Sequence, residues 1–147
     1  VIGQHVDSPT PQIVAQERGV YGTGHHRDMS EFAPEATVCS SVWVWDRFLA
    51  PELKKIMAGN WVPAEHGALL SMEQGGTDVS CCGKGIDEEE KAKIMAAREE
   101  LLNGEKLIYA GPISDRDGNV KAAEGEALSD GELWSMDWFV KGVITQQ

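Results

Sequence analysis

Ala36-Thr37-Val38-Cys39-Ser40-Ser41-Val42-Trp43-Val44-Trp45 is the stretch on which the fold turns. β-Branched and aromatic residues fill it without a glycine or proline, so it reads as the strongest strand of the chain. Two shorter runs precede it. Val1-Ile2-Gly3 reads as the end of a buried strand, and Gly19-Val20-Tyr21-Gly22-Thr23-Gly24 as a second short strand. Between them, Asp7-Ser8-Pro9 supplies cap residues and a first-turn proline for a helix that runs to about Arg18 and stops at Gly19. Strands separated by helix-length segments predict an α/β fold with a parallel sheet.

Downstream, Asp46 to Ala58 has helical period, with Leu49, Leu53, Ile56 and Met57 on one face; Pro51 must begin or kink that helix, and Gly59 ends it. A strand is expected over Ala68 to Met72, followed by a Gly75-Gly76 turn. Asp87 caps the longest helix, whose Ile94, Ala97 and Leu101 share a face. Glu88-Glu89-Glu90 complements its positive N-terminal end, so this acidic run reads as a helix start rather than a metal site. Leu107-Ile108-Tyr109 and Val120-Lys121-Ala122 flank an Asp117-Gly118 pair that signals a β-hairpin. Ser129 or Asp130 caps a short segment, and Trp138-Phe139-Val140-Lys141-Gly142-Val143 is apolar enough to form a final strand.

Composition narrows the partners. The 147 residues are 41% hydrophobic, enough for the core of one ordinary domain. A net charge of −11 argues against nucleic acid or an anionic membrane surface. No apolar run approaches a membrane span, and the chain opens at Val1 without a leader, as would a processed protein or a piece of a longer one. Cys39, Cys81 and Cys82 lack metal spacing; buried or loop thiols are the default, with a Cys39 bridge to Cys81 or Cys82 as the alternative in an oxidising compartment.

In open parallel sheets, ligands bind beyond the carboxyl ends of the strands. Here those ends offer Gln4, His5, Asp7, Ser8 and Thr10; then Gly24, His25, His26, Arg27 and Asp28; then Ser41, Trp43, Trp45 and Asp46. Trp43 and Trp45, two apart, share a strand face that either packs under a helix or stacks on a flat ligand. Adjacent histidines rarely chelate one ion, so no metal is expected at His25 and His26. Neither a nucleophile elbow nor a zinc-protease motif occurs, and Gly83-Lys84-Gly85 is no phosphate loop, so neither catalysis nor a cofactor is expected.

The order of motifs carries a resemblance. Ile2-Gly3-Gln4-His5-Val6-Asp7-Ser8-Pro9, Gly19-Val20-Tyr21-Gly22-Thr23-Gly24, and Pro34 through Val42 resemble the second half of basic membrane protein (BMP, PnrA-like) lipoproteins. These are substrate-binding components of ABC importers, often for purine nucleosides. The close of the chain is similar to that family's end: Gly104, Tyr109-Ala110-Gly111-Pro112-Ile113, Asp115, Asp117-Gly118, Gly125, Leu128-Ser129-Asp130 and Met136 through Val143.

The resemblance implies a type I periplasmic binding-protein fold, two Rossmann-like parallel-sheet lobes clamping a ligand, with only the C-terminal half present. Residues 1–36 then finish the C-terminal lobe, 37–60 form the hinge strand and crossover, and 61–147 complete both lobes. It further implies a missing N-terminal half bearing a lipid anchor, a periplasmic or cell-surface location, and an ABC permease as partner. Nucleoside binders of the family carry an aspartate for ribose hydroxyls where this chain has His26, and a lysine where it has Val44 or Trp45. Asp7 and Ser8 replace part of a glycine-rich loop and could read the edge of a bare base. The expected ligand is therefore a purine base or nucleoside, with adenine favoured, held by Asp7, Ser8, Gly24, His26, Trp43 and Trp45. The competing expectations are an α/β enzyme acting on a nucleobase or nucleotide with His25, His26 and Asp28 as acid–base groups, and a ligand sensor without a transport role.

Overall fold

The computed structural model describes residues 1–65 and 67–144. Contacts divide the chain into two compact units, Val1–Pro63 with Leu70–Gly104, and Ala64–Leu69 with Glu105–Gln147.

The first unit is an α/β layer around a four-stranded sheet of order β1-β2-β3-β4. Its elements are β1 (Ile2–Gly3), α1 (Thr10–Glu17), β2 (Gly22–His26), a 3₁₀ turn (Met29–Glu31), β3 (Thr37–Trp43), α2 (Trp45–Met57), β4 (Thr77–Cys81) and α3 (Glu88–Leu102). β2 runs parallel to both β1 and β3, as the β–α–β spacing requires. β4 departs from the all-parallel expectation: it pairs antiparallel to β3, with Cys39 opposite Cys81 and Trp43 opposite Thr77. The strand expected at Ala68 to Met72 is absent, and that segment instead leads into the turn before β4. A stretch that returns after a full helix and a long loop can enter the sheet from either end, and local pattern does not say which.

Local chemistry explains most boundaries. α1 has proline at its first positions, and Gly19 follows it at φ +63°, the left-handed geometry that ends helices. The Asp87 carboxylate caps α3 by accepting from the Glu90 backbone N–H at 2.8 Å, as the sequence predicts. Arg98 on α3 ties that helix to β4 through a two-pronged contact with Asp78, Nε to Oδ1 at 2.6 Å and Nη2 to Oδ2 at 2.8 Å. Those bonds hold the Asp78 carboxyl below its ordinary range. Trp45 begins α2 rather than ending β3, so Trp43 and Trp45 do not share a strand face. Cys81 and Cys82 are bonded to each other and Cys39 keeps a free thiol, so the cross-strand bridge weighed above is not formed. Burial raises the Cys39 pKa.

In the second unit, β5 (Ile113–Ser114) and β6 (Val120–Ala122) form the expected hairpin. Asp115 organises its turn by accepting from the backbone N–H groups of Asp117 and Asn119 at 3.0 and 2.8 Å. Leu107-Ile108-Tyr109 lies outside the hairpin strands, and the predicted last strand reduces to one bridge between Asp115 and Val140. α4 (Asp130–Trp134) starts with a complete capping box between Ser129 and Glu132.

The core is built from small residues. Ala15, Ala33 and Ala36 cluster where α1 and the chain after the 3₁₀ turn meet the sheet, and Met29 is buried nearby. Large apolar side chains are mostly exposed, among them Leu49, Leu53, Ile56 and Met57 along one face of α2. Among the described residues no helix is long and apolar enough to cross a membrane.

One close approach sets the position of β2. Gly24 is buried, and a Cβ there would overlap Ser40 Oγ and the Met29 side chain. Neither neighbour can move freely, because Ser40 is fully buried and its hydroxyl accepts from the Met29 backbone N–H at 3.0 Å. Gly24→Ala is expected to destabilise the protein by about 1–3 kcal/mol, the cost of overpacking a tight interior. An unchanged urea midpoint would contradict this account of the packing.

Candidate functional site

Parallel pairing brings the carboxyl ends of β1, β2 and β3 to one edge of the sheet, where each donates polar or aromatic side chains. β1 leads into His5 and Asp7, β2 ends on His25 and His26, and β3 ends on Trp43 with Trp45 opening α2. The register sets His25 beside Ser41 and His26 beside Val42.

The rings form a continuous cluster. His5 and His25 lie 4.0 Å apart between centroids, His25 meets Trp43 edge-on at 5.5 Å, and His26 lies 5.0 Å from Trp43 and 6.0 Å from Trp45. The two indoles meet at 5.2 Å with their planes 67° apart, across the corner between strand and helix. Two hydrogen bonds fix the polar side. Trp45 Nε1–H donates to His26 Nε2 at 3.0 Å, and His26 Nδ1 faces Asp7 Oδ1 at 3.3 Å.

His26 carries backbone strain. Its φ is +72°, in the left-handed region where a Cβ crowds the following carbonyl. Residues held so are found where a site needs a side chain aimed in a direction an ordinary strand would not allow. Partial burial and the neighbouring His5 depress the pKa of His25.

Asp7, His26, Trp43 and Trp45 are therefore brought together. Ser8 belongs to the same loop as Asp7 but turns to the start of α1, where its hydroxyl lies 2.8 Å from Thr10 Oγ1 and accepts from the Thr10 backbone N–H. Gly24 lies one residue inside the strand end against Ser40 and Met29, a position set by packing. Asp28 caps the 3₁₀ turn by accepting from the Ser30 backbone N–H at 2.9 Å. Although burial acts against it, hydrogen bonds from Ser30 and Ser80 hold its carboxyl below the ordinary value. Of the His25, His26 and Asp28 set, Asp28 is engaged at the 3₁₀ turn, and the carboxylate facing His26 is that of Asp7. Among the described residues no three His, Cys, Asp or Glu side chains converge as a metal-binding group.

The tilted contact of His5 with His25 was not legible as a pair in the sequence. Only the register of the parallel ladder puts residues twenty positions apart side by side, and that register is not a local signal. The arrangement can present indole and imidazole rings to a flat ligand and hydrogen-bonding groups to its edge. It offers little to an anion: Arg27, the nearest cation in sequence, pairs with Glu31 and lies over Phe32.

No family model matches the chain. It is similar over nearly its whole length to two curated proteins. One, from Haloferax volcanii and named as an ABC transporter glucose-binding protein, is 33% identical over 145 residues, 97% of this chain and 34% of that protein. The other, a purine-binding protein of Brucella abortus, is 29% identical over 144 residues, 97% of this chain and 40% of that protein. The chain thus spans between a third and two fifths of the length of these curated relatives. Among solved structures, a transcriptional activator of the comK gene from Bacillus halodurans superposes with a TM-score of 0.54 at 14% identity, over 67% of this chain and 34% of that one. That likeness is one of fold alone, and agrees with a partial Rossmann-like α/β lobe.

The strain at His26 has a measurable sign. Glycine at position 26 is expected to give a more stable protein than alanine there, by about 1 kcal/mol, because both lose the imidazole but only alanine keeps the left-handed crowding. In denaturant unfolding the reverse order, normal for a strand residue, would show that the backbone is not held left-handed.

Proposed function

We propose that this chain is the C-terminal half of a solute-binding receptor of an ABC importer, of the basic membrane protein type, and that it takes a purine base. One observation carries the reading: two indoles and His26 converge with Asp7 at the shared strand edge of a chain that is similar from end to end to two proteins named for binding solutes. The relatives' names differ, one citing glucose and the other purine. The ring cluster favours the purine, since a flat heterocycle can use an indole face and an imidazole face together. An adenine edge would be read by Asp7 and His26, which face each other at the strand edge. The net charge of −11, with Arg27 already paired to Glu31, disfavours a phosphorylated ligand.

In this proposal residues 1–36 finish one lobe, 37–60 pass through the hinge, and 61–147 complete both lobes. The receptor works outside the cytoplasm, lipid-anchored, and delivers its ligand to a permease. The exposed apolar face of α2, with Leu53 at 56% and Met57 at 87% exposure, supports an additional covering portion of the same polypeptide.

Calorimetric titration of the full-length polypeptide with adenine, adenosine, AMP and glucose tests the reading. Adenine is expected to bind at least as tightly as adenosine, and AMP the most weakly. Replacing whichever indole stacks, by Trp43→Ala or Trp45→Ala, should weaken adenine binding by about 1–3 kcal/mol. A strong preference for adenosine would overturn the inference drawn from His26, a preference for glucose would overturn the purine assignment, and chemical conversion of any of them would overturn the receptor.

A further inference from the structure

Beyond its nearness to the ligand edge, His26 has a second feature, the direction of its hydrogen bonds. An indole N–H can only donate, so the 3.0 Å bond from Trp45 Nε1 requires a bare lone pair on His26 Nε2. The ring proton of the neutral imidazole must then sit on Nδ1, where it points to the Asp7 carboxylate at 3.3 Å. Asp7, His26 and Trp45 form a directional chain in which every donor meets an acceptor.

Adding one proton reverses one link of that chain. On the imidazolium both nitrogens donate, so Nε2–H faces Nε1–H of Trp45 and their bond is lost, while the contact with Asp7 becomes an ion pair. We propose that His26 is a positioning residue whose neutral, Nδ1-protonated ring latches the Trp45 indole at the strand-end cluster, and that acidification releases the indole. Through the reading of this cluster as a ligand site, on which this consequence rests, ligand affinity falls with the release. The groups that could perturb the latch are few. From the loop after β1 come His5 and Asp7, and β2 adds His25. Arg27 follows β2 and is paired with Glu31; α2 carries Asp46 and Arg47 beyond Trp45; and β3 contributes Trp43, which does not titrate. Among the described residues Asp7 is the carboxylate paired with His26.

The test reads the indole directly. In proton–nitrogen correlation spectra from roughly pH 8 to pH 5, with the Trp45 side-chain signal assigned by its loss in Trp45→Phe, that signal is expected to move in step with the His26 ring resonances. In His26→Gln, a side-chain carbonyl can accept from Trp45 at every pH, so the Trp45 signal should stay still over the same range. His25→Gln should leave the response intact, which separates the latch from the neighbouring imidazole. With adenine as probe, affinity is expected to drop roughly three- to tenfold across the range in the unaltered protein and to stay flat in His26→Gln. A Trp45 signal that ignores His26 ionisation, or that titrates equally in His26→Gln, would overturn the latch. If adenine fails to bind at any pH while the signal still follows His26, the latch stands and the purine reading falls.

Discussion

Parallel pairing of Gly22–His26 between Ile2–Gly3 and Thr37–Trp43 is the constraint from which the candidate site follows. Antiparallel neighbours would send alternate strand ends to opposite edges, whereas three parallel strands must all end on the same one. The ladder in turn depends on a missing atom. Gly24 lets β2 lie against Ser40 and Met29, and a side chain there would push β2 out of register just before the two histidines. The strained His26 closes the strand at that edge and turns its imidazole toward Trp45 and Asp7.

In the proposed receptor this edge serves recognition. The rings supply polarisable faces, the directional chain from Trp45 to Asp7 supplies rigidity, and Arg27, next to His26 in sequence, is paired with Glu31. Rigid aromatic surfaces gain affinity because little rotamer freedom remains to be lost on binding. The same unit leaves a row of large apolar side chains along α2 exposed while its buried cluster consists of Ala15, Ala33 and Ala36. The chain spans 34% and 40% of the length of two relatives, and in the proposed receptor further chain would cover that face.

Much of this was legible in the sequence because the signals were local. Asp87 before Glu88-Glu89-Glu90, Ser129 or Asp130 before a short segment, and Asp117-Gly118 between two short apolar runs announced two caps and a hairpin, and each is found, with Ser129 as the second cap. The β–α–β spacing likewise gave the parallel start of the sheet and therefore the set of strand ends. What was missed depended on distant partners. β4 could be placed neither in position nor in direction, because its pairing with β3 is decided by a return across some thirty residues. Trp45 was read as strand because β-branched and aromatic residues run through it, but Asp46 and the amphipathic pattern beyond it take the helix back to Trp45. The pairings of His5 with His25 and of His26 with Asp7 depend on the parallel register and on one left-handed backbone angle, neither of which leaves a local trace.

The central claim is that the shared strand edge is a ligand site. A crystal structure of the full-length polypeptide grown with adenine tests it most directly. The account predicts an unaltered purine ring stacked on Trp43 or Trp45, with its edge toward Asp7 and His26. A purine bound elsewhere, with the ring cluster keeping its mutual contacts, would contradict it and return both indoles to a purely structural role.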